Sequence, residues 1–248
     1  MCVVKPPELP SLVSTIGSGL SYRSDSDSFQ QLMSARGKMS ETIVRMSTRG
    51  YDRGEHQATV RASVASAPSQ MSEAERLVRE RYAWRGYAIP HEVESRDDDN
   101  RDAVTLVAEA GGFTVGTLTL GFDGPLGLYV DQTYPDEIGA ARSRGRRVCE
   151  LTRLALAQQA DSQIVLSVLF GLAYAIGTVM RDVTDVFIEV NPRHAAFYRR
   201  VMGFVVESGE RLCERVRAPA VLLRLSIDEL EARLETYADR LVTERAAA

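Results

Sequence analysis

The sequence predicts one mixed α/β domain, and three observations carry that prediction. Strand-period and helix-period runs alternate from His56 onward with no internal repeat, the pattern of helices layered on a sheet. Two β-runs, "AVTLVAEA" and "FTVGTLTLGF", meet at Gly111-Gly112, a hairpin signal. An almost wholly apolar stretch from Ser162 to Met180 lies between two strand-like runs and reads as a buried helix.

Taken in order, residues 1–55 are rich in Ser, Gly, Arg and Asp with little apolar periodicity, and read as a flexible extension, disordered or partly helical. The domain proper then spans 56–248. It opens with the strand "QATVRASVA". In the following helix, Ser72 and Glu75 have capping-box spacing, Ala74, Leu77, Val78 and Trp84 form the apolar stripe, and Gly86 is the stop. The acidic "RDDDNRDA" loop reads as solvated, and the hairpin follows. A longer connection holds a short helix near Pro135 to Arg144, then come the strand "VCELTRLAL", the apolar helix and the strand "DVFIEV". A helix from Pro192 to Met202 has its proline in the first turn, where no N–H is needed, and Gly203 at its end. The strand "AVLLRL" leads to a last helix with Ser226 and Glu229 as its cap and Ile227, Leu230, Leu234, Tyr237 and Leu241 as its stripe. That stripe fits packing on its own domain or pairing with a second copy in a homodimer.

Composition narrows the function classes. With 248 residues, 44% of them hydrophobic, the chain can bury a sizeable core. A net charge of −4 argues against general nucleic-acid binding. No uninterrupted run of about 18–20 apolar residues is present; the richest, Ile164 to Met180, contains Ser167, Gly171, Gly177 and Thr178. With no signal-peptide core in "MCVVKPPELP", a cytoplasmic protein without an integral membrane segment is expected. Cys2, Cys149 and Cys213 are odd in number and far apart with no CxxC pair, which argues against a disulfide framework or a zinc site. Cys149 stands beside Arg146 and Arg147, yet its place in an apolar strand favours an inert, buried thiol. Basic residues cluster at Arg142, Arg144, Arg146 and Arg147, at Arg193, Arg199 and Arg200, and at Arg211, Arg215 and Arg217. These clusters suit either solvent or an acidic partner.

Four runs, "GTLTLGFDGPLGL", "GRRVCELTRLAL", "VNPRHAAFYRRVMGF" and "APAVLLRL", stand in that order between Val60 and Leu230. In this order they resemble the GNAT superfamily of acyltransferases and, within it, the N-acyl amino acid synthases, distant relatives of acyl-homoserine-lactone synthases. The resemblance implies a GNAT-like α/β fold, a mixed and splayed central sheet flanked by helices, and transfer of a fatty acyl group to the amine of an amino acid or similar small molecule. It departs from the acetyl-CoA enzymes at "AQQADSQ", Ala157 to Gln163, where they carry a glycine-rich loop that holds the pyrophosphate of CoA. Without glycine the backbone cannot approach a pyrophosphate as closely. This favours an acyl-phosphopantetheine thioester on an acyl carrier protein as donor, with acyl-CoA as the alternative and no resident cofactor. Carrier proteins of this kind are acidic, so Arg142, Arg144, Arg146, Arg147 and Arg193 become candidates for docking one.

Amide formation from a thioester needs a neutral amine, a route for its proton and donors at the developing oxyanion. Strict alternation puts Val148, Glu150, Thr152 and Leu154 on one strand face and Cys149, Leu151 and Arg153 on the other. A β-bulge would let Glu150 and Arg153 converge and turn the N–H groups of Leu151 to Arg153 towards a thioester carbonyl. Glu150 is then placed to orient or deprotonate the amine, with Arg153 fixing it or binding a carboxylate; the bland reading is a buried pair that organises the sheet. Thr152 completes this part of the candidate set. On the later helix His194 and Tyr198 share a face. Many relatives use a helix tyrosine four positions before Gly-Phe to protonate the leaving thiolate, whereas Tyr198 is five before Gly203. His194 is a candidate relay or substrate contact, and Asp123 and Asp131 are candidate acceptor contacts in the connection flanking the amine.

Overall fold

In a computed structural model, which describes residues 46–48, 60–87 and 102–232, the alternating runs become one mixed sheet with helices on both faces. The elements are β1 (Met46–Thr48), β2 (Val60–Val64), α1 (Pro68–Trp84), β3 (Ala103–Ala110), β4 (Phe113–Phe122), a 3₁₀ turn (Tyr129–Gln132), α2 (Pro135–Ser143) and β5 (Val148–Leu156). Then follow α3 (Ser162–Ala175) with a π-turn (Ile176–Met180), β6 (Asp185–Val190), α4 (Pro192–Phe197) with a π-turn (Tyr198–Met202), β7 (Val205–Cys213) and β8 (Ala218–Ser226). The strands lie in the order β1-β2-β3-β4-β5-β6-β8-β7. Every pairing is antiparallel except β5 with β6. Gly111 and Gly112, at φ 58° and 83°, turn the β3–β4 hairpin as its two left-handed residues.

The parallel pair is short. β5 and β6 are laddered only from Val148–Asp185 to Glu150–Phe187. Beyond Glu150 the ladder stops while β5 continues along β4 and β6 along β8, so the sheet splays. At the same point the β4–β5 register shifts between Thr117–Ala155 and Thr119–Thr152, and Arg153 takes φ 53°. This is the expected β-bulge, and it corrects the simple alternation. Past the bulge the faces exchange parity, so Ala155 joins the α1 side with Leu77 and Val78, and Leu154 joins the α3 side.

Two cores result. On one face, Val165, Val168, Leu169 and Leu172 of α3 pack over β2 to β4, in a cluster that extends to Cys149, Val186, Ile188 and Leu223 of the sheet. A Cβ on Gly116 of β4 would lie 2.4 Å from Val165 Cγ1, so this glycine permits the close seating of α3. On the other face, Leu128, Val130, Tyr134, Ile138 and Ala141 cover Val148, Phe187 and Leu222. The stretch Ser162–Met180 is, once helical, long and apolar enough to span a bilayer, its Ser, Gly and Thr interruptions notwithstanding. Over half of it is buried within the fold.

Other sequence expectations shift. α1 begins at Pro68, ahead of the Ser72–Glu75 pair, because Gln70 Oε1 accepts from Ser66 N and Ala67 N (3.1 and 3.3 Å) and closes the N-terminus there. Trp84 is not core but 68% exposed, with the Arg81 guanidinium 4.9 Å from its ring. β7 was missed. Its run "VVESGERLC" is half exposed and holds Gly209 within the second of two register shifts, so it lacks the clean apolar alternation of a strand. Of the N-terminal extension only β1 is described, and of the last helix only residues 227–232, so Leu234, Tyr237 and Leu241 lie outside the described residues.

Candidate active site in the splayed sheet

Where β5 and β6 part, a pocket opens between Leu151–Leu154 and Ile188–Asn191. The side chains of Glu150, Glu189, Arg85, His194, Tyr198 and Arg215 also line it. The pocket therefore brings together Glu150, Thr152, Arg153, His194 and Tyr198 from the sequence-derived set.

Glu150 is 3% exposed. Its Oε1 accepts the Tyr129 amide at 2.8 Å and its Oε2 the Val130 amide at 3.0 Å, so the carboxylate caps the 3₁₀ turn and is fixed by it. It also lies on the backbone of Gly121, its cross-strand partner: a Cβ there would be 3.0 Å from Glu150 Cγ and Oε1. Across the pocket, Arg215 sits over the Tyr129 ring, its guanidinium carbon 4.4 Å from the ring centroid, and its Nη2 is 3.9 Å from Glu189 Oε2. Burial pulls the Arg215 guanidinium down, but the fields of Glu150, Cys213 and Glu189 outweigh it and hold the charge more firmly than in water. Neither Glu189 nor Arg215 was singled out as a site residue. Arg215 lies in the β7–β8 turn, which becomes recognisable only when β7 is recognised.

The helix after β6 supplies the rest. Asn191 Oδ1 caps α4 by accepting from Arg193 N at 3.2 Å. The residue that puts Tyr198 five places before Gly203 is absorbed by the π-turn Tyr198–Met202, with Gly203 N and Phe204 N both donating to Tyr198 O and Gly203 left-handed at φ 80°. The register slip is thus taken up locally and Tyr198 remains in the pocket. Its ring is edge-on to Phe197 and Phe204, and burial pushes its hydroxyl up to about 12. His194 is held below the usual imidazole value by burial, then by Arg85 and Arg193, so it is neutral at pH 7.

The other candidates do not line the pocket. Arg142 binds Asp123 through Nε and Nη2 (both 2.8 Å) and Asp131 through Nη1 and Nη2 (both 2.6 Å). Asp131 Oδ2 also accepts Leu128 N at 2.7 Å. This cluster ties the loop after β4 to α2. Arg146 pairs with Asp185 and, at 3.5 Å, with Asp228; Arg147 pairs with Asp182 at 3.0 Å. Arg144 is exposed on the turn after α2, and Arg193 is exposed with its Nε on Asn191 Oδ1. Cys149 is buried and its thiol is raised well above the ordinary value by that burial, then by Glu150 and Asp185, which makes it unreactive. Among the described residues no group of three His, Cys, Asp or Glu is placed to hold a metal.

A sheet that splays after a short parallel pair, with a largely apolar pocket carrying a few charged side chains in the opening, is the GNAT arrangement, and the chain is an N-acyltransferase of that fold. More particularly, the family described as N-acyl amino acid synthase FeeM matches residues 73–226, more than half of the chain, and the chain belongs to it. The solved structure of FeeM, an N-acyl amino acid synthase from uncultured soil microbes, is similar at 26% identity and TM-score 0.65, covering 71% of this chain and 94% of that one. ElaA of Escherichia coli shares the fold at 11% identity and TM-score 0.50, over 68% of this chain and 99% of that one. No curated protein matches significantly.

Proposed function

We propose that the chain moves a long-chain fatty acyl group from an acyl carrier protein to the α-amine of an amino acid. The observation that carries the choice of donor is at the start of α3. Asp161 Oδ1 accepts from Gln163 N and Ile164 N (3.0 and 3.2 Å), so the helix's first amides already hold a carboxylate. A CoA pyrophosphate would need those amides and would meet that negative charge. A pantetheine thioester on a carrier protein brings no pyrophosphate to this helix. Of the arginines assigned to docking the carrier, Arg144 and Arg193 are exposed and outside the described ion pairs, whereas Arg142, Arg146 and Arg147 are partly neutralised by their own aspartates.

In this reading the amine nitrogen attacks the thioester carbonyl carbon, the C–S bond breaks, and the amine proton passes to Glu150 directly or through water. The bulged N–H groups of Leu151 to Arg153 face the developing oxyanion, Thr152 and Arg153 hold the acyl group and Glu150 in register, and Tyr198, protonated at neutral pH, returns a proton to the thiolate. His194 contacts the acceptor. Asp123 and Asp131 serve the acceptor indirectly, by setting the loop whose amides hold Glu150.

The test is intact-protein mass spectrometry of a long-chain acyl carrier protein incubated with this protein and a pool of amino acids. Return of the carrier to its free thiol, with a new N-acyl amino acid, is the expected result, and rate and affinity should fall steeply with salt. Consumption of acyl-CoA while the carrier stays loaded would overturn the donor assignment. No turnover with either thioester would leave a carrier- or acyl-binding module.

A further inference from the structure

Glu189 lines the pocket with a side chain only 7% exposed, and its Oε1 makes no hydrogen bond to any described residue. Its other oxygen faces Arg215 at 3.9 Å, beyond hydrogen-bond range, and the Cys213 thiol is near the same carboxylate. A buried carboxylate oxygen without a donor is costly, and in a native protein it is answered by a ligand, an ion or a water. Glu150 cannot play this part in the same way, since backbone amides occupy both its oxygens.

Resting on the amino-acid acylation reading above, we infer that Glu189 and Arg215 form the receptor for the zwitterionic head of the acceptor, Glu189 Oε1 taking the α-ammonium and Arg215 the α-carboxylate. The two charges are opposite and held a little apart, Glu189 buried and Arg215 partly exposed, and an α-amino acid carries its own two charges on one carbon. The balance of the pocket agrees: Arg85, Arg153 and Arg215 outnumber Glu150 and Glu189 among its ionisable walls. A simple cationic amine would enter a site already in positive excess, whereas a zwitterion satisfies Glu189 without adding charge. Arg215 is itself seated on the Tyr129 ring, whose amide holds Glu150, so the acceptor's carboxylate would be anchored on the element that fixes Glu150.

The experiment compares each L-amino acid that is turned over with its methyl ester, which keeps the amine and loses the carboxylate charge. In the wild type kcat/KM should favour the free acid by about a hundredfold, and Arg215→Gln should collapse that preference to within about threefold. Glu189→Gln should raise the acceptor KM about tenfold or more, with a smaller effect on kcat; Glu189→Asp, which keeps the charge, should recover part of the loss and serves if the glutamine variant does not fold. An unchanged acceptor KM in folded Glu189→Gln, or an acid-to-ester preference that survives Arg215→Gln, would overturn the receptor while leaving the acyltransfer reading standing. Calorimetry of amino acids with thioester-free protein separates the opposite case. Binding that Glu189→Gln abolishes, in a protein that consumes no thioester, would support the receptor and sink the reaction.

Discussion

Strand β6 carries two buried carboxylates four residues apart, Asp185 and Glu189, and they are treated in opposite ways. Asp185, at the laddered end, is 1% exposed and has every oxygen engaged: Oδ2 accepts from Arg146 Nε and Thr184 Oγ1, and Oδ1 from Arg224 Nη1 at 2.8 Å. Glu189, in the splayed half, keeps Oε1 without a partner and its arginine at 3.9 Å. Same strand, same face, same charge, different closure: where β5 stays paired, the charge network is completed by the chain, and where β5 leaves, it is left for something else to complete. The first arrangement stabilises a fold, and the second receives a ligand.

Three substitutions would break or sharpen that contrast. The largest effect belongs to Asp185→Ala, which removes the buried carboxylate that Arg146 and Arg224 share and leaves them only the more exposed Asp228 and Glu207; it should cost about 3 kcal/mol in urea unfolding. Burial alone would raise the Asp185 carboxyl, but hydrogen bonds from Arg146, Arg224 and Thr184 prevail and hold it below the ordinary carboxylate value. A depressed folded value means stability that is present above the unfolded carboxylate pKa of about 3.9 and lost as pH falls through the folded one. The wild-type advantage over the alanine variant should therefore shrink below about pH 4, and an advantage independent of pH would refute the ionised network. Next comes Glu150→Gln. With folding verified by circular dichroism, turnover should fall by about a hundredfold, and normal turnover would reduce Glu150 to a cap of the 3₁₀ turn. Third, Gly121→Ala places a methyl against Glu150 Cγ and Oε1. It should lower kcat about tenfold by displacing the carboxylate, with stability little changed; an unaltered kcat would mean that Glu150 tolerates movement.

The elements around the splayed half are legible in the sequence, but the open charge pair inside it is not. The hairpin at Gly111-Gly112, the strand "VCELTRLAL" and the Pro192 helix were all readable, because glycine, proline and period-two alternation are local signals. The bulge at Arg153 follows from the family resemblance, but nothing in the sequence says that it sends Leu154 to the far face. β7 was not legible, since a half-exposed strand with a central glycine lacks periodicity, and with it went Arg215. Glu189 looked like any polar residue ending a buried strand. Its partnerless oxygen is a property of what surrounds it, and that depends on where β5 diverges. The one-residue slip at Tyr198 was visible as a count, but its resolution in a π-turn is a backbone outcome that spacing does not contain.

The smallest effect expected is at the cluster of Asp123, Asp131 and Arg142, a second closed network but a more exposed one, with the arginine side chain 32% accessible. Arg142→Gln removes two forked ion pairs and leaves two aspartates near one another. Partly exposed pairs contribute little, so the loss should be about 1 kcal/mol or less and should diminish further in high salt. Activity should change less than threefold, because Asp131 Oδ2 still accepts Leu128 N and the turn that presents the Tyr129 and Val130 amides to Glu150 keeps this tie. The discriminating measurement is kcat in the variant against kcat in Asp131→Asn, which weakens that anchor directly. If Arg142→Gln alone lowers kcat tenfold, the cluster does more than brace the loop, and Asp123 and Asp131 return as direct contacts of the acceptor. If only Asp131→Asn does so, the loop acts on the chemistry through the placement of Glu150, and the division between closed networks that hold and an open one that binds stands.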